Sequence, residues 1–451
     1  MRTTTYLSIL TIVLITAVPA AGADMSAGKP FDVTPSLTKG DQRWPSTAFG
    51  KDVYLVVWQE GEAMDGVKDT NIFAARVSAE GKPLDGEGIP VCQAPGFQAY
   101  PMAAFDGENF VVAWQDYRPV PEKDTREQDW DLYAARVSPE GKVLDTDGFA
   151  VAAVAGNQIY PALASNGKGE TLIVWSDVRA ANKPELYRLY GTTVRGGKPK
   201  EPGGRELAKG RSSLLRPYVA WDGVGYGIVA GHAMPGWSPA HPYGVRVGAD
   251  GTAKPWKIPH FLGQTYSLAA DPEGKRAYVW SNARHEHGSY CTVYLGTLIQ
   301  DVKTGAGVRS LVNRLQGKYP PRNDLWCAAA FNGKNFVAVI EQSPGLTSDR
   351  RDPGAAITME LAAFRIDPSS GAAIDAGSAP AGTSGDLRRP VKTTEYKESA
   401  AKPFTGVKIA EENLQLRHPS IASAGEGKCL LVYSRHGGVG KYKIHAAALS
   451  E

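Results

Sequence analysis

The polar and apolar positions of this chain fall into short runs rich in β-branched and aromatic residues, separated by Gly, Asp and Pro, while long helix-forming runs are scarce. The runs repeat in groups of four. Trp44-Pro45 leads to Tyr54-Leu-Val-Val-Trp58-Gln-Glu60, then Asn71-Ile-Phe-Ala-Ala-Arg76, then Glu80-Gly-Lys-Pro-Leu-Asp85. The same order returns as Tyr100-Pro101, Phe110-Val-Val-Ala-Trp114-Gln-Asp116, Asp131-Leu-Tyr-Ala-Ala-Arg136 and Glu140-Gly-Lys-Val-Leu-Asp145. A third copy begins at Tyr160-Pro161, and four weaker ones at Arg216-Pro217, Tyr266-Ser267, Trp326-Cys327 and His418-Pro419. Each unit predicts a four-stranded antiparallel meander, with Glu-Gly-Lys as a hairpin turn that uses the positive φ open to Gly. The second strand is apolar on both faces, as a sheet packed between neighbours requires.

Seven such units predict an all-β fold, a seven-bladed β-propeller of four-stranded antiparallel blades. The last unit runs out at its third strand, Ile444–Leu449, and Phe31-Asp-Val-Thr-Pro resembles the outer strands of other units. The ring is therefore expected to close through an N-terminal strand that completes the last blade. One interval between units is longer than the rest, and the excess falls in 376–404, a Gly/Ala/Pro/Ser/Lys-rich stretch read as a disordered insertion in the sixth unit.

Composition narrows the setting. With 42% hydrophobic and 22% charged residues the chain is globular, and 50 Gly with 31 Pro favour many turns over long helices. A net charge of +3 is too even for a phosphate-tracking surface, so nucleic acid is not an expected partner. Arg2, the apolar run Tyr6–Val18 and Ala21-Gly22-Ala23 have the form of a signal peptide cleaved near Ala23, which makes 24–451 a single secreted domain, periplasmic or extracellular. No membrane span follows, and a monomer is expected. An oxidising destination permits disulfides among Cys92, Cys291, Cys327 and Cys429, but the favoured reading is four small apolar side chains buried within strands; their spacing does not suit a zinc knuckle.

Candidate chemistry follows from the propeller geometry. Immediately before each innermost strand stand Trp44, Tyr100, Tyr160, Arg216, Tyr266, Trp326 and His418, expected to rim the channel mouth, where aromatic rings stack on sugars and cations. The loops after the second strands reach the same face and bring Arg118, Arg179, Arg435 and His436, with Asp-x-Arg in the second and third units read as an ion-pair brace. The fourth and fifth units break the pattern with His232, His241, Tyr243 and Arg284-His285-Glu286-His287. Histidines gathered on one face can move protons, ligate metal or hold an anion. His285-x-His287 is a weak divalent-metal signal; no other cofactor is indicated.

The repeat Leu-Val-Val-Trp-x-Asp-x-Arg, Asp-Leu-Tyr-Ala-Ala-Arg-Val and Glu-Gly-Lys-x-Leu-Asp resembles the repeats of secreted bacterial β-propeller proteins over nearly the whole chain. That resemblance implies architecture and leaves function open. Sialidase-type Asp boxes, Gly-His…Trp-Asp signatures and calcium loops are absent. Two functions remain: a secreted binding protein that takes a glycan or an extracellular protein on the channel-mouth face, or a polysaccharide-degrading enzyme. As a lyase it would use Arg284 or Arg435 on a uronate carboxylate, His232 or His285 as base and Tyr243 as acid. As a glycosidase it would need facing carboxylates, for which Asp116, Asp177 and Glu341 are available.

Overall fold

The computed structural model describes residues 24–36, 40–61, 70–119, 129–179, 186–210, 212–234, 237–256, 258, 265–273, 276–287, 290–301, 307–317, 327–342, 359–369, 374–375, 407–412, 416–436 and 442–451. The signal-peptide segment 1–23, the insertion 376–404 and Trp326 lie outside them. Among the described residues every regular element is a β-strand.

The expectation of seven separate four-stranded blades is corrected by the hydrogen bonding, which gathers the strands into six sheets of eight, five, five, four, four and four strands. The eight-stranded sheet arises because the first two units fuse at their rim. Thr70 pairs with Phe97 in parallel, its Oγ1 donates to the Gln98 carbonyl (2.9 Å), and the Gln98 N–H reaches the same hydroxyl (3.2 Å). The five-stranded sheets arise where an outer strand is broken in two. In the third unit Lys198–Pro199 and Arg205–Ala208 flank Gly203-Gly204, both left-handed. In the last sheet Ser26–Ala27 and Phe31–Asp32, on either side of Pro30, both pair antiparallel with Tyr442–Ser450.

The sheets nonetheless stand in a propeller arrangement. The first strands of the units, Asp41–Gly50, Phe97–Phe105, Asn157–Ser165, Ser213–Trp221, Thr265–Asp271, Cys327–Phe331 and Leu416–Gly425, pack side by side in that order, and the last returns to the first. The core lies between the sheets and is built from the second strands. Trp58, Trp114 and Trp175 are wholly buried there, with Leu55, Val57, Val112, Ile173 and Val174. Each of these Trp rings presses on a Gly of its own unit. At Gly148 (φ +76°) an added Cβ would stand 2.5 Å from the Trp114 ring and 2.9 Å from the Ala134 carbonyl; Gly204 stands in the same relation to Trp175. The hairpin glycines Gly81 and Gly141 adopt φ of 83° and 90°.

Two further devices fasten the units. In the outer layer Arg76 and Arg136 each fork onto a carboxylate in the turn that follows, Asp85 (2.9 Å) and Asp145 (2.8 Å), and Arg365 does the same with Asp375 (2.6 Å). At the seam where the two chain ends meet, Asp41 accepts the Tyr442 N–H (2.7 Å), Gln42 accepts the Ile444 N–H (3.1 Å) and His445 meets Asp32 (2.9 Å).

Candidate functional site

Five of the residues expected at the channel mouth share one backbone peculiarity. Trp44, Tyr100, Tyr160, Arg216 and His418 all have positive φ, between 51° and 56°, although none is Gly. Each precedes a proline, and at each the register of the first strand against the second slips. The local cause is in the sequence: Pro has no N–H for the ladder, so the pairing opens there and the preceding residue swings out as a bulge. A non-Gly residue in this region costs about 1–2 kcal/mol. The contrast is Tyr266, followed by Ser267. Its strand pairs without a slip, and the ring is turned into the core at 2% exposure, where burial holds its phenol well above the ordinary range.

Three of the bulge residues are held by a side chain of the neighbouring unit. The Tyr100 N–H donates to Gln59 Oε1 (3.2 Å), the Tyr160 N–H to Gln115 Oε1 (3.2 Å) and the His418 N–H to Glu341 Oε1 (3.0 Å). Gln59, Gln115 and Glu341 each lie near the C-terminal end of a second strand, and the side chain there staples one unit to the next.

These staples bring the side chains together in an arc. The His418 ring stacks on Trp44 (centroids 3.6 Å), Trp44 tilts against Tyr100 (4.4 Å), Tyr100 meets Tyr160 edge to face (5.2 Å), and Arg216 lies over Tyr160 (5.1 Å). All five are half-buried. Burial raises the Tyr100 phenol above its ordinary value, reinforced by Tyr160 and opposed by Arg216, so it stays neutral.

The remaining candidates are placed as follows. Arg118 forks onto Asp116 (2.7 Å), donates to the Asp147 carbonyl (3.0 Å) and lies 3.7 Å over Tyr133; Trp114 Nε1 holds the same carboxylate (2.8 Å). Arg179 repeats this on Asp177, with Trp175 and Tyr190. Both carboxylates are buried, and at Asp177 desolvation outweighs Arg179 and Trp175, so its carboxyl lies above the usual range. With Glu341 buried and holding the His418 N–H, these three carboxylates act as braces and a staple. Tyr243, half-buried, packs on the core around Leu172 and Val245. His232 pairs across the ladder with His241, and Arg284, His285 and His287 lie in strand Arg276–His287; their side chains are outside the described residues. Among the described residues no group of three or more His, Cys, Asp or Glu is placed to hold a metal ion. Cys92 and Cys429 are buried free thiols, and burial pushes both up to about 12; Cys327 is also buried, and the Cys291 side chain lies outside the described residues.

Arg43 and Tyr442, which meet at the seam, carried no signal in the repeat. Arg43, next to Trp44, is held by Asp41 (2.7 Å) and lies 4.5 Å over the Tyr442 ring, against which His436 packs edge to face (4.9 Å). Arg435 pairs across the ladder with Lys443. A cavity of about 330 Å³ lies at the opposite ends of the strands, between the third and fourth units, lined by Leu172, Leu207, Trp221, Tyr226 and Arg205 among others. Of the charges that line it, Glu170 pairs with Arg195 (3.4 Å) and Arg205 with Glu201 (3.6 Å).

Fold and site together define an all-β protein of propeller arrangement with an aromatic arc on its innermost strands. Among the described residues no helix is long and apolar enough to cross a membrane. No protein-family model matches the chain, and no curated protein is significantly similar to it. Solved structures resemble it distantly. A protein of unknown function from Dyadobacter fermentans is 10% identical, with 94% of this chain and 99% of that one covered and a TM-score of 0.44. A thermostable family-43 glycoside hydrolase is 10% identical over 64% of this chain and 98% of that one, with a TM-score of 0.37. The Trypanosoma rangeli sialidase, solved with the inhibitor DANA, is 9% identical over 94% of this chain and 59% of that one, with a TM-score of 0.40.

Proposed function

We propose that this chain is a carbohydrate-binding propeller protein, secreted after loss of its first 23 residues, that takes its ligand on the arc His418, Trp44, Tyr100, Tyr160 and Arg216. The observation that carries this reading is the repeated left-handed bulge. Gly would take this conformation without strain, so Trp, Tyr and His are kept there at a backbone cost, and strained backbone of this kind gathers at binding and catalytic sites. Half-buried rings fixed from behind by a neighbouring unit offer a rigid platform, and rigidity lowers the ordering cost of binding. The arc supplies stacking surface with a cation at its end, which suits a pyranose ring and its hydroxyls. Binding stands ahead of hydrolysis because Asp116, Asp177 and Glu341 are each committed to other partners.

The test is affinity electrophoresis and calorimetry of the mature protein against a panel of soluble polysaccharides, repeated with the Trp44→Ala, Tyr100→Ala double variant. Loss of at least tenfold in affinity, with the β-sheet circular dichroism retained, is expected. Wild-type affinity in that variant would remove the arc from the binding site, and release of shortened or unsaturated oligosaccharides would make the protein an enzyme.

A further inference from the structure

We propose that the ligand of the arc is an acidic glycan whose carboxylate is held by Arg43 at the seam between strands Asp41–Gly50 and Tyr442–Ser450. This rests on the reading of the arc as a glycan platform and names the class of polymer it takes.

Arg43 is the chain neighbour of Trp44, which stacks on His418 and tilts against Tyr100 in the arc. The guanidinium is fixed on two sides: Asp41 Oδ2 accepts its Nε (2.7 Å), and its plane lies 4.5 Å over Tyr442. Among the described residues Nη1 and Nη2 carry no hydrogen bond, and 27% of the side chain is exposed. The outer edge of the fork is therefore unspent, and two parallel N–H donors in one plane match a carboxylate. Asp41 is a positioning residue. It is buried, its second oxygen is taken by the Tyr442 N–H (2.7 Å), and its place at the seam sets the direction of Arg43.

The surroundings favour an anion. His436 packs on the same Tyr442 ring and is half-buried, and Arg435 and Lys443 are cross-strand neighbours on the adjoining strands; among the described residues Asp41 is the carboxylate bound to Arg43, and Glu60 already accepts from Trp58 Nε1 (2.9 Å) and Gln42 (3.1 Å). Arg216 stands at the other end of the arc, over Tyr160. An arc that ends in Arg216 and has Arg43 next to Trp44 in the chain suits a polymer in which apolar ring faces alternate with charged groups, as in a polyuronide. A neutral polymer would leave the Arg43 fork without a partner.

The experiment compares each of several polyuronides (polygalacturonate, alginate, hyaluronan) with its carboxyl-reduced counterpart, in which the uronate has become a neutral hexose. For at least one pair the wild-type protein is expected to bind the acid form about tenfold more tightly at low salt, as a charge-assisted pair gives. Arg43→Gln should bring that ratio close to one, and Arg43→Lys, which keeps the charge and loses the fork, should recover only part of it. Trp44→Ala should weaken both forms. Equal binding of acid and reduced polymers, or a ratio that survives Arg43→Gln in a variant with wild-type circular dichroism, would overturn the acidic-ligand assignment and leave the arc reading standing. Binding of neither form, with no other polysaccharide bound, would overturn both.

Discussion

Tyr100 offers a direct test of whether the bulge is strained. In an ordinary strand, Gly is less stable than Ala by about 0.5–1 kcal/mol, because it surrenders more chain entropy on folding. At a left-handed residue the sign reverses, since Ala keeps a Cβ that meets the following carbonyl at a cost of about 1–2 kcal/mol and Gly does not. Tyr100→Ala and Tyr100→Gly both lose the packing on Trp44 and Tyr160, so their difference isolates the backbone at φ 52°. The Gly variant is expected to be the more stable by about 1 kcal/mol. Heating is a poor readout: an unfolding entropy of about 2.1 cal/mol/K per residue converts 1 kcal/mol into a Tm shift of only about 1 °C in a chain this long. Urea unfolding followed by tryptophan fluorescence resolves it as a shift in midpoint at constant slope. The control is Ala103→Gly, in the same strand beyond the bulge, where Gly should lower the midpoint. An Ala variant at position 100 as stable as the Gly variant would refute the strain argument, and with it the main support for the arc as a functional site.

Gly148→Ala should be strongly destabilising, by about 2–4 kcal/mol, since it combines a left-handed φ with a Cβ 2.5 Å from Trp114, and loss of soluble protein or a large fall in the urea midpoint checks it; a neutral outcome would mean the Trp114 ring can move. Two carboxylates should give opposite pH slopes. At Asp145 desolvation is outweighed by the Arg136 hydrogen bonds and charge, so its carboxyl lies below the ordinary value; it stabilises above that value and the contribution is lost as pH falls through the folded one. At Asp177 desolvation wins and the carboxyl lies higher, so stability falls as pH rises from the ordinary value through the raised one. The gap in urea midpoint between wild type and Asp145→Asn should widen with rising pH across the acid range, while that for Asp177→Asn should narrow; slopes of the same sign would contradict one of the two assignments.

The strands were legible because second strands such as Tyr54–Trp58 and Leu172–Trp175 are apolar on both faces, and only burial between neighbouring sheets explains that. The sheet boundaries were not. Fusion of the first two units hangs on the hydroxyl of Thr70 and the backbone of Gln98, which no hydrophobic period records. The arc residues were named from their position before each first strand, yet the signal that explains their geometry was the proline behind them. Trp44-Pro45 and its counterparts bulge, whereas Tyr266-Ser267 does not. Arg43 and Tyr442 escaped notice because they are remote in sequence and meet only where the two ends of the chain come together.

That meeting also sets a timetable. Ser26 finds its partner in Ser450, and Phe31 in Ala446, so the earliest described strands must wait, unpaired on that side, until nearly all the chain has left the ribosome. Pairings of such long sequence separation are slow to form and leave a sheet edge open meanwhile. The same adjacency means that Ser26 and Ser450 could be joined by a short linker and the chain reopened between strands Phe149–Ala152 and Asn157–Ser165, giving circular permutants that keep the pairings of both strands. Such permutants would fold with a different last step, and comparing their refolding rates would separate the cost of closing the ring from the cost of building the sheets.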